Sequence, residues 1–421
     1  MKVLIVSSYQ ISCGIASYTA VLKSLLENDF EVSVAPLDQS VLRRLEQQAV
    51  QAGDRQIRAI CESFKDYDVV NLQWEPGLLG ATAPHMMRRF RWLIDAAPNL
   101  IVTVHTALPY PQKKSLTGAL GHMRRHGLRS LPRYLVEGRF ERAAFAALSN
   151  RAKAGGNFAI AVHNERERNF YRNVVGIESV HAHPLSNIRA GWRTLLDKDT
   201  PVARQRLEAL YPDRRTFIGV FGFLSEYKGI QTAIKAMNDL DDGHQLLIYG
   251  SVHPEAIRHG QTINPYVKEL IDGLEKAEFR DRVAFIGSPD DYEFALAINT
   301  VDICVFPYVD VASHSGSGPL AHAIELGKPT VATRTRSFLE MQRYFPKAFE
   351  MFDVGNHLQL AQAIERIGKV DTPRPAIRYD NETLAAFYAD LIRNTASKPA
   401  VRPGAQANDA GPGAGTLKAA E

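Results

Sequence analysis

The sequence holds few of the residues that announce a particular chemistry. Its three cysteines among 421 residues, Cys13, Cys61 and Cys304, form neither a CxxC pair nor a metal-ligand spacing. That excludes a disulfide framework and structural zinc and points to a reducing compartment. No stretch approaches about 18 uncharged apolar residues, so no spanning helix is expected. The opening Met1-Lys2-Val3-Leu4-Ile5-Val6 has no basic stretch ahead of a long apolar run and continues into a strand-and-turn pattern, so no signal peptide is expected. The formal charge of +4 is too small to imply nucleic acid. Two phosphate-binding signatures are missing as well. There is neither a GxGxxG dinucleotide turn nor a GxxxxGK[ST] loop.

What remains is an ordinary globular balance, 45% hydrophobic and 23% charged, in a chain too long for one core. Two domains of roughly 180 residues each are the natural division. Short apolar runs recur at Val3 to Val6, Val32 to Ala35, Val69 to Leu72, Ile101 to Val104 and Ala159 to Val162, each followed by an amphipathic segment. A second series runs through Phe217 to Phe221, Gln245 to Tyr249, Val283 to Ile286, Ile303 to Phe306 and Thr330 to Ala332. This alternation predicts α/β architecture, with two doubly wound parallel sheets covered by helices.

The polar stretch from Asn187 to Arg215, with Pro201 and Pro212, reads as the connection between them. The expected units are 1–190 and 191–379, then an amphipathic helix over 380–395 and a disordered tail over 396–421, rich in Ala, Gly and Pro.

Ligands of such sheets bind beyond the carboxyl ends of the strands, where helix amino termini collect. Gly14 follows the first strand and opens a helix, which lets a ligand approach its free amides; a glycine needed only for a tight turn reads equally well. His105 ends the run Leu100-Ile101-Val102-Thr103-Val104 and is expected to face the cleft, where it could donate a hydrogen bond to a phosphate or sugar hydroxyl; a purely structural histidine at a strand end is the alternative reading. In Phe221-Gly222-Phe223-Leu224-Ser225-Glu226-Tyr227-Lys228-Gly229, Lys228 stands just ahead of the helix from Ile230 to Met237. Ammonium and helix terminus would converge there, as a diphosphate requires; a solvated helix-start lysine is the plainer reading. The segment Ser313-His314-Ser315-Gly316-Ser317-Gly318 exposes amides at another helix start and suits an anion. No convincing acid pair of DxD form follows a strand: Asp197-Lys198-Asp199 lies in the connection, so no metal is expected.

Taken together and in order, several stretches resemble the retaining glycosyltransferases of family 4 (glycosyl transferases group 1). They are Cys13-Gly14-Ile15, Gln73-Trp74-Glu75-Pro76-Gly77, Thr103-Val104-His105, Phe221 to Lys228-Gly229, Tyr249-Gly250-Ser251, Val283 to Gly287, Asp302 to Pro307 and Gly327-Lys328-Pro329-Thr330-Val331-Ala332. The resemblance spans about residues 1 to 335. It implies a GT-B arrangement of two facing Rossmann-like domains, an amino-terminal one for the acceptor and a carboxyl-terminal one for a nucleotide-sugar donor.

It also implies transfer of a hexose, mannose or glucose, from a nucleoside-diphosphate sugar to a glycan or lipid-linked acceptor. No cofactor or metal is called for, and the leaving phosphate deprotonates the acceptor on the same face. His105 and Lys228 are the catalytic candidates. Gly14, Lys228, His314, Ser315, Gly316, Ser317, Gly318 and His322 are those for donor binding. Two departures stand out. Phe223 replaces the family's usual arginine, and the two glutamates of its Glu-x7-Glu pattern fall on His314 and His322.

Lys113 to Lys153 carries ten basic residues against Glu137 and Glu141, with Leu, Met and Phe interleaved at helical spacing. This suits an anionic membrane surface, with the protein in the cytoplasm and peripheral on the inner face of the plasma membrane; a solvated helix covering the sheet explains the same pattern. A nucleotide-sugar 2-epimerase of the same fold and a non-catalytic glycosyltransferase-like subunit are the alternative functions.

Overall fold

Odd and even residues of each buried run face opposite sides of a sheet, so runs that are apolar throughout require cover on both faces. The computed structural model meets that requirement twice. It describes residues 1–11, 13–108, 138–189, 191–252, 264–311, 316–368 and 378–397.

The first sheet contains β1 (Lys2–Ser7), β2 (Glu31–Pro36), β3 (Val69–Trp74), β4 (Asn99–Val104), β5 (Asn157–Val162) and β6 (Val180–Ala182). All pairings are parallel, in the order β2-β1-β3-β4-β5-β6. On one face Leu4, Val6, Leu72, Trp74 and Val102 pack under α2 (Gln47–Ser63), α3 (Ala83–Ala96) and α4 (Arg139–Lys153). On the other, Val3, Ile5, Ile101 and Ala161 pack under α1 (Gly14–Leu26). A short α5 (Glu165–Phe170) follows β5.

The second sheet holds β7 (Thr216–Phe221), β8 (His244–Tyr249), β9 (Val283–Gly287), β10 (Ile303–Phe306), β11 (Thr330–Thr333) and β12 (Glu350–Phe352). Its order is β12-β11-β10-β7-β8-β9, again parallel. Its helices are α6 (Trp192–Leu210), α7 (Ile230–Ala236), α8 (Pro265–Glu275), α9 (Asp291–Thr300), α10 (Gly318–Glu325), α11 (Arg336–Tyr344) and α12 (His357–Ile367). The last described helix, α13 (Asn381–Ala396), returns to the first sheet, where Leu384, Tyr388, Leu391 and Ile392 complete the core around α1.

Two details differ from the sequence reading. The polar stretch taken as a connection contains α6, with Pro201 inside it. Only Leu196 of this helix is fully buried, so no apolar stripe betrays it. What anchors it is Arg204, stacked 4.7 Å from the Phe217 ring and bonded to Asp302 at 2.7 Å. The edge strands β6 and β12 have three residues each, too few for a run to register. The expected disordered tail lies outside the described residues from 398 onward.

In each sheet the strand order reverses once, between β1 and β3 and between β7 and β10. At such a point the loops after the two strands diverge to opposite faces and leave a crevice. The two crevices face each other.

Candidate functional site

Residues following β1, β3, β4, β5, β7, β8, β9 and β10 line one cleft of about 390 Å3 between the two sheets. A cavity of this size suits a small organic ligand.

The second-domain wall is made by close backbone approach. A Cβ on Gly250, just after β8, would lie 1.9 Å from the carbonyl oxygen of Gly222, just after β7. Gly229 has φ +63°, and a Cβ there would lie 2.0 Å from the carbonyl oxygen of Pro307. These contacts fold the loop after β7 over Lys228, which is only 6% exposed. Its ammonium donates to the Tyr308 hydroxyl and sits 4.0 Å from that ring and 4.9 Å from the Tyr227 ring. No carboxylate pairs with it among the described residues, and burial lowers its pKa to about 7. The Tyr308 hydroxyl continues at 2.9 Å to Ser317, whose Oγ caps α10 by accepting from the Leu320 N–H. One polar chain thus runs from the ammonium to the amino terminus of α10, where Ser317, Gly318 and Gly316 line the cleft.

The first-domain wall is made of side chains. Gly14 opens α1 with nothing within 4 Å of where a Cβ would stand, so a ligand can approach its backbone. His105 does reach the cleft, but its ring is not available as expected. Nε2 lies 2.7 Å from Gln73 Oε1 and Nδ1 lies 3.2 Å from His163 Nε2. Both nitrogens are engaged within the fold, so donation from the ring to a phosphate or sugar is not open to it in this arrangement.

Burial holds the His105 pKa well below its ordinary value, with His163 adding to the effect, and burial takes His163 down to about 4. Behind the pair Gln73 donates to Asn71, Asn71 donates to Thr103 at 3.0 Å, and Thr103 meets the Tyr388 hydroxyl of α13 at 2.9 Å. The Tyr18 hydroxyl joins Tyr388 at 3.2 Å. Glu75, following β3, also lines this wall. It accepts from the Thr106 hydroxyl and from the Gly77 N–H at 3.4 Å. Burial raises its pKa, and these two bonds oppose the rise.

The walls meet at Asp291 on α9, which accepts from Ser17 of α1 and from Arg189, each at 2.8 Å. His322 lines the second-domain side. Its Nε2–H donates to the Asn187 carbonyl at 3.1 Å. Burial takes its pKa down to about 4, so the ring is neutral and Nδ1 is left as an acceptor, without a partner among the described residues. Glu325, one turn on, does not reach the cleft. Its carboxylate accepts from the N–H groups of Asn187 and Ile188 at 2.8 and 3.0 Å and is 3% exposed.

Of the donor-binding candidates, His314 and Ser315 lie outside the described residues. Gly14, Gly316, Ser317, Gly318, His322 and Lys228 all border the one cleft, as does His105. Asp197 and Asp199 lie in α6, where Asp199 accepts from Tyr292 at 2.7 Å. In the basic stretch residues 113–137 lie outside the described set, and the rest forms α4. Its Arg151 is 6% exposed and donates to the carbonyls of Ile94, Ala97 and Pro98, so it secures the first sheet rather than facing a membrane. Sequence reasoning missed His163 and Glu75 as cleft residues. For His163 the signal was present: it follows β5 as His105 follows β4.

Residues 215–369 match the family model of the glycosyl transferases group 1. No curated protein matches the chain. Among solved structures, Alr3699/HepE of Anabaena in complex with UDP and glucose is similar at 16% identity and TM-score 0.59, covering 93% of this chain and 99% of that one. The sucrose-phosphate synthase of Thermosynechococcus elongatus is similar at 17% identity and TM-score 0.63, over 93% and 98%. An α,α-trehalose-phosphate synthase of Burkholderia xenovorans in complex with glucose-6-phosphate is similar at 11% identity and TM-score 0.56, over 93% and 96%. At these identities the likeness establishes the fold, the GT-B arrangement of two facing α/β domains.

Proposed function

We propose that the cleft binds a nucleoside-diphosphate sugar and that the protein transfers the hexose, mannose or glucose, to a glycan or lipid-linked acceptor with retention and without a divalent metal. The observation that carries this reading is Lys228, an ammonium buried against two tyrosine rings with no carboxylate partner among the described residues. Burying an unpaired cation costs several kcal/mol, and an anion arriving in the cleft recovers it. The match of residues 215–369 to the group 1 family and the UDP and glucose of the Alr3699/HepE complex favour a nucleotide sugar as that anion.

In this reading the diphosphate lies between Lys228 and the amino terminus of α10, with the first-domain wall near Gly14 on its other side. Lys228 and the α10 amides take up charge as the bond from anomeric carbon to phosphate oxygen breaks and its electron pair leaves with the phosphate. The acceptor hydroxyl bonds to the anomeric carbon from the same face and passes its proton to the departing phosphate. Those fixed positive groups are sited to do what a metal does elsewhere, which supports independence from one. His322 Nδ1, an acceptor in the cleft, suits a ribose hydroxyl as donor.

The experiment is a thermal-shift screen against nucleoside diphosphates, followed by product analysis with a labelled nucleotide sugar. One diphosphate at 100 times its Kd should stabilise the fold by about 2.7 kcal/mol. Label appearing in a glycan or lipid fraction supports transfer. An isomerised nucleotide sugar formed without acceptor makes the protein an epimerase, and no diphosphate binding at all sinks the reading.

A further inference from the structure

We infer that Glu75 is the acceptor-binding carboxylate of the first-domain wall and that it selects an uncharged polyhydroxyl acceptor over a phosphorylated one. This rests on the donor reading above.

Position is the first argument. Glu75 follows β3, next to the point where the first sheet reverses its strand order, and it lines the shared cleft. The second argument is availability. On the same wall Ser17 donates to Asp291, Tyr18 bonds Tyr388, and His105 has both ring nitrogens engaged, one of them with His163. Of the other two cleft carboxylates among the described residues, Asp290 caps α9 by accepting from the Glu293 N–H at 2.8 Å, and Asp291 is held by Ser17 and Arg189.

Glu75 differs from both in standing on the first-domain wall rather than at the start of α9. Each of its oxygens accepts one bond from its own wall, from Thr106 and Gly77, and a carboxylate oxygen accepts two. These bonds fix the carboxylate while leaving lone pairs for a ligand. Arg43 donates to the Gly77 carbonyl at 3.3 Å, and its side chain does not line the cleft.

A fixed carboxylate accepts hydrogen bonds from hydroxyls and repels phosphate oxygens. With Lys228 occupied by the donor's diphosphate, an acceptor phosphate beside Glu75 would meet a like charge, whereas a sugar hydroxyl would be held and turned toward the anomeric carbon.

The test uses the full chain saturated with UDP, or with whichever diphosphate the screen selects. Methyl α-glucoside and methyl α-mannoside are titrated against glucose 6-phosphate and mannose 6-phosphate, in the natural protein and in Glu75→Gln. The natural protein should bind a methyl hexoside at least about tenfold more tightly than the matching phosphate, a like-charge penalty of ordinary size. Glu75→Gln, which keeps the Thr106 bond, should lose about tenfold for the hexoside and lose the discrimination, with UDP affinity unchanged.

A phosphate bound more tightly than its hexoside by the natural protein overturns the inference even if the variant misfolds. So does UDP binding without hexoside binding, or an unchanged preference in Glu75→Gln. A glycosyl ester trapped on Glu75 overturns it too, by making the residue a nucleophile. Absence of UDP or any other diphosphate binding fells the donor reading instead, and this inference with it.

Discussion

The two walls of the cleft are built in opposite ways. The second-domain wall is a backbone structure, in which glycines at 222, 229 and 250 let three loops touch main chain to main chain and close over a single ammonium. The first-domain wall is a side-chain structure, in which neutral histidines, amides and hydroxyls from β3, β4, β5, α1 and α13 hold one another in place. One wall is rigid and charged; the other is mutually braced and, apart from Glu75, presents no carboxylate among its described residues. A substrate with a charged end and a neutral end has only one orientation that suits both.

The largest contrast should come from glycines. Gly250→Ala forces a Cβ against the Gly222 carbonyl and should destabilise the fold by about 3 kcal/mol, with diphosphate binding lost alongside. Gly14→Ala meets open space, so its stability should stay within about 0.5 kcal/mol while diphosphate affinity falls. Urea unfolding and a diphosphate titration of both variants read this, and equal instability in the two would erase the distinction between the walls.

Next in size is the ammonium. Lys228→Ala should weaken diphosphate binding by about 1.5 to 3 kcal/mol, the range for a charged hydrogen bond. His105→Ala, on the other wall, should leave that affinity unchanged. Calorimetry on both decides it, and equal losses would mean that the phosphate lies elsewhere.

The smallest effect is in pH. Lys228 has a folded pKa near 7, below its unfolded value of about 10.4. Between the two the unfolded chain binds more protons, so this group makes the ligand-free protein gain stability as pH rises through that window. A bound diphosphate restores the ammonium, so binding at pH 8 should take up part of a proton and weaken by up to about tenfold per pH unit above 7. His163 and His322, both near 4, should contribute nothing there. Calorimetry in buffers of different ionisation heat measures the uptake; its persistence in Lys228→Ala would assign it to another group.

The same contrast explains what could be read from sequence. Glycine turns and the residues after strands are local signals, so the fold and the surroundings of Lys228, Ser317 and Gly14 were legible in short stretches. The first-domain wall is assembled across long separations: Thr103 meets Tyr388, and Tyr18 meets Tyr388 from the opposite end of the chain. No periodicity encodes such a meeting, which is why the engagement of both His105 nitrogens was missed. Spacing alone does not settle direction either: Glu325 lies within a turn of His322, yet its side chain turns toward the Asn187 and Ile188 amides.

The return of α13 to the first sheet has a consequence for how the molecule is made. Tyr18, Ile5 and Ile101 share one core with Leu384, Tyr388 and Ile392. A ribosome releasing the chain from its amino end, at about 5 to 20 residues per second, delivers the whole first sheet well before the piece that seals it. The first half therefore waits, with one apolar flank uncovered, until the second half has been synthesised; the last helix is the clasp that turns two successive folding events into one finished enzyme-sized body.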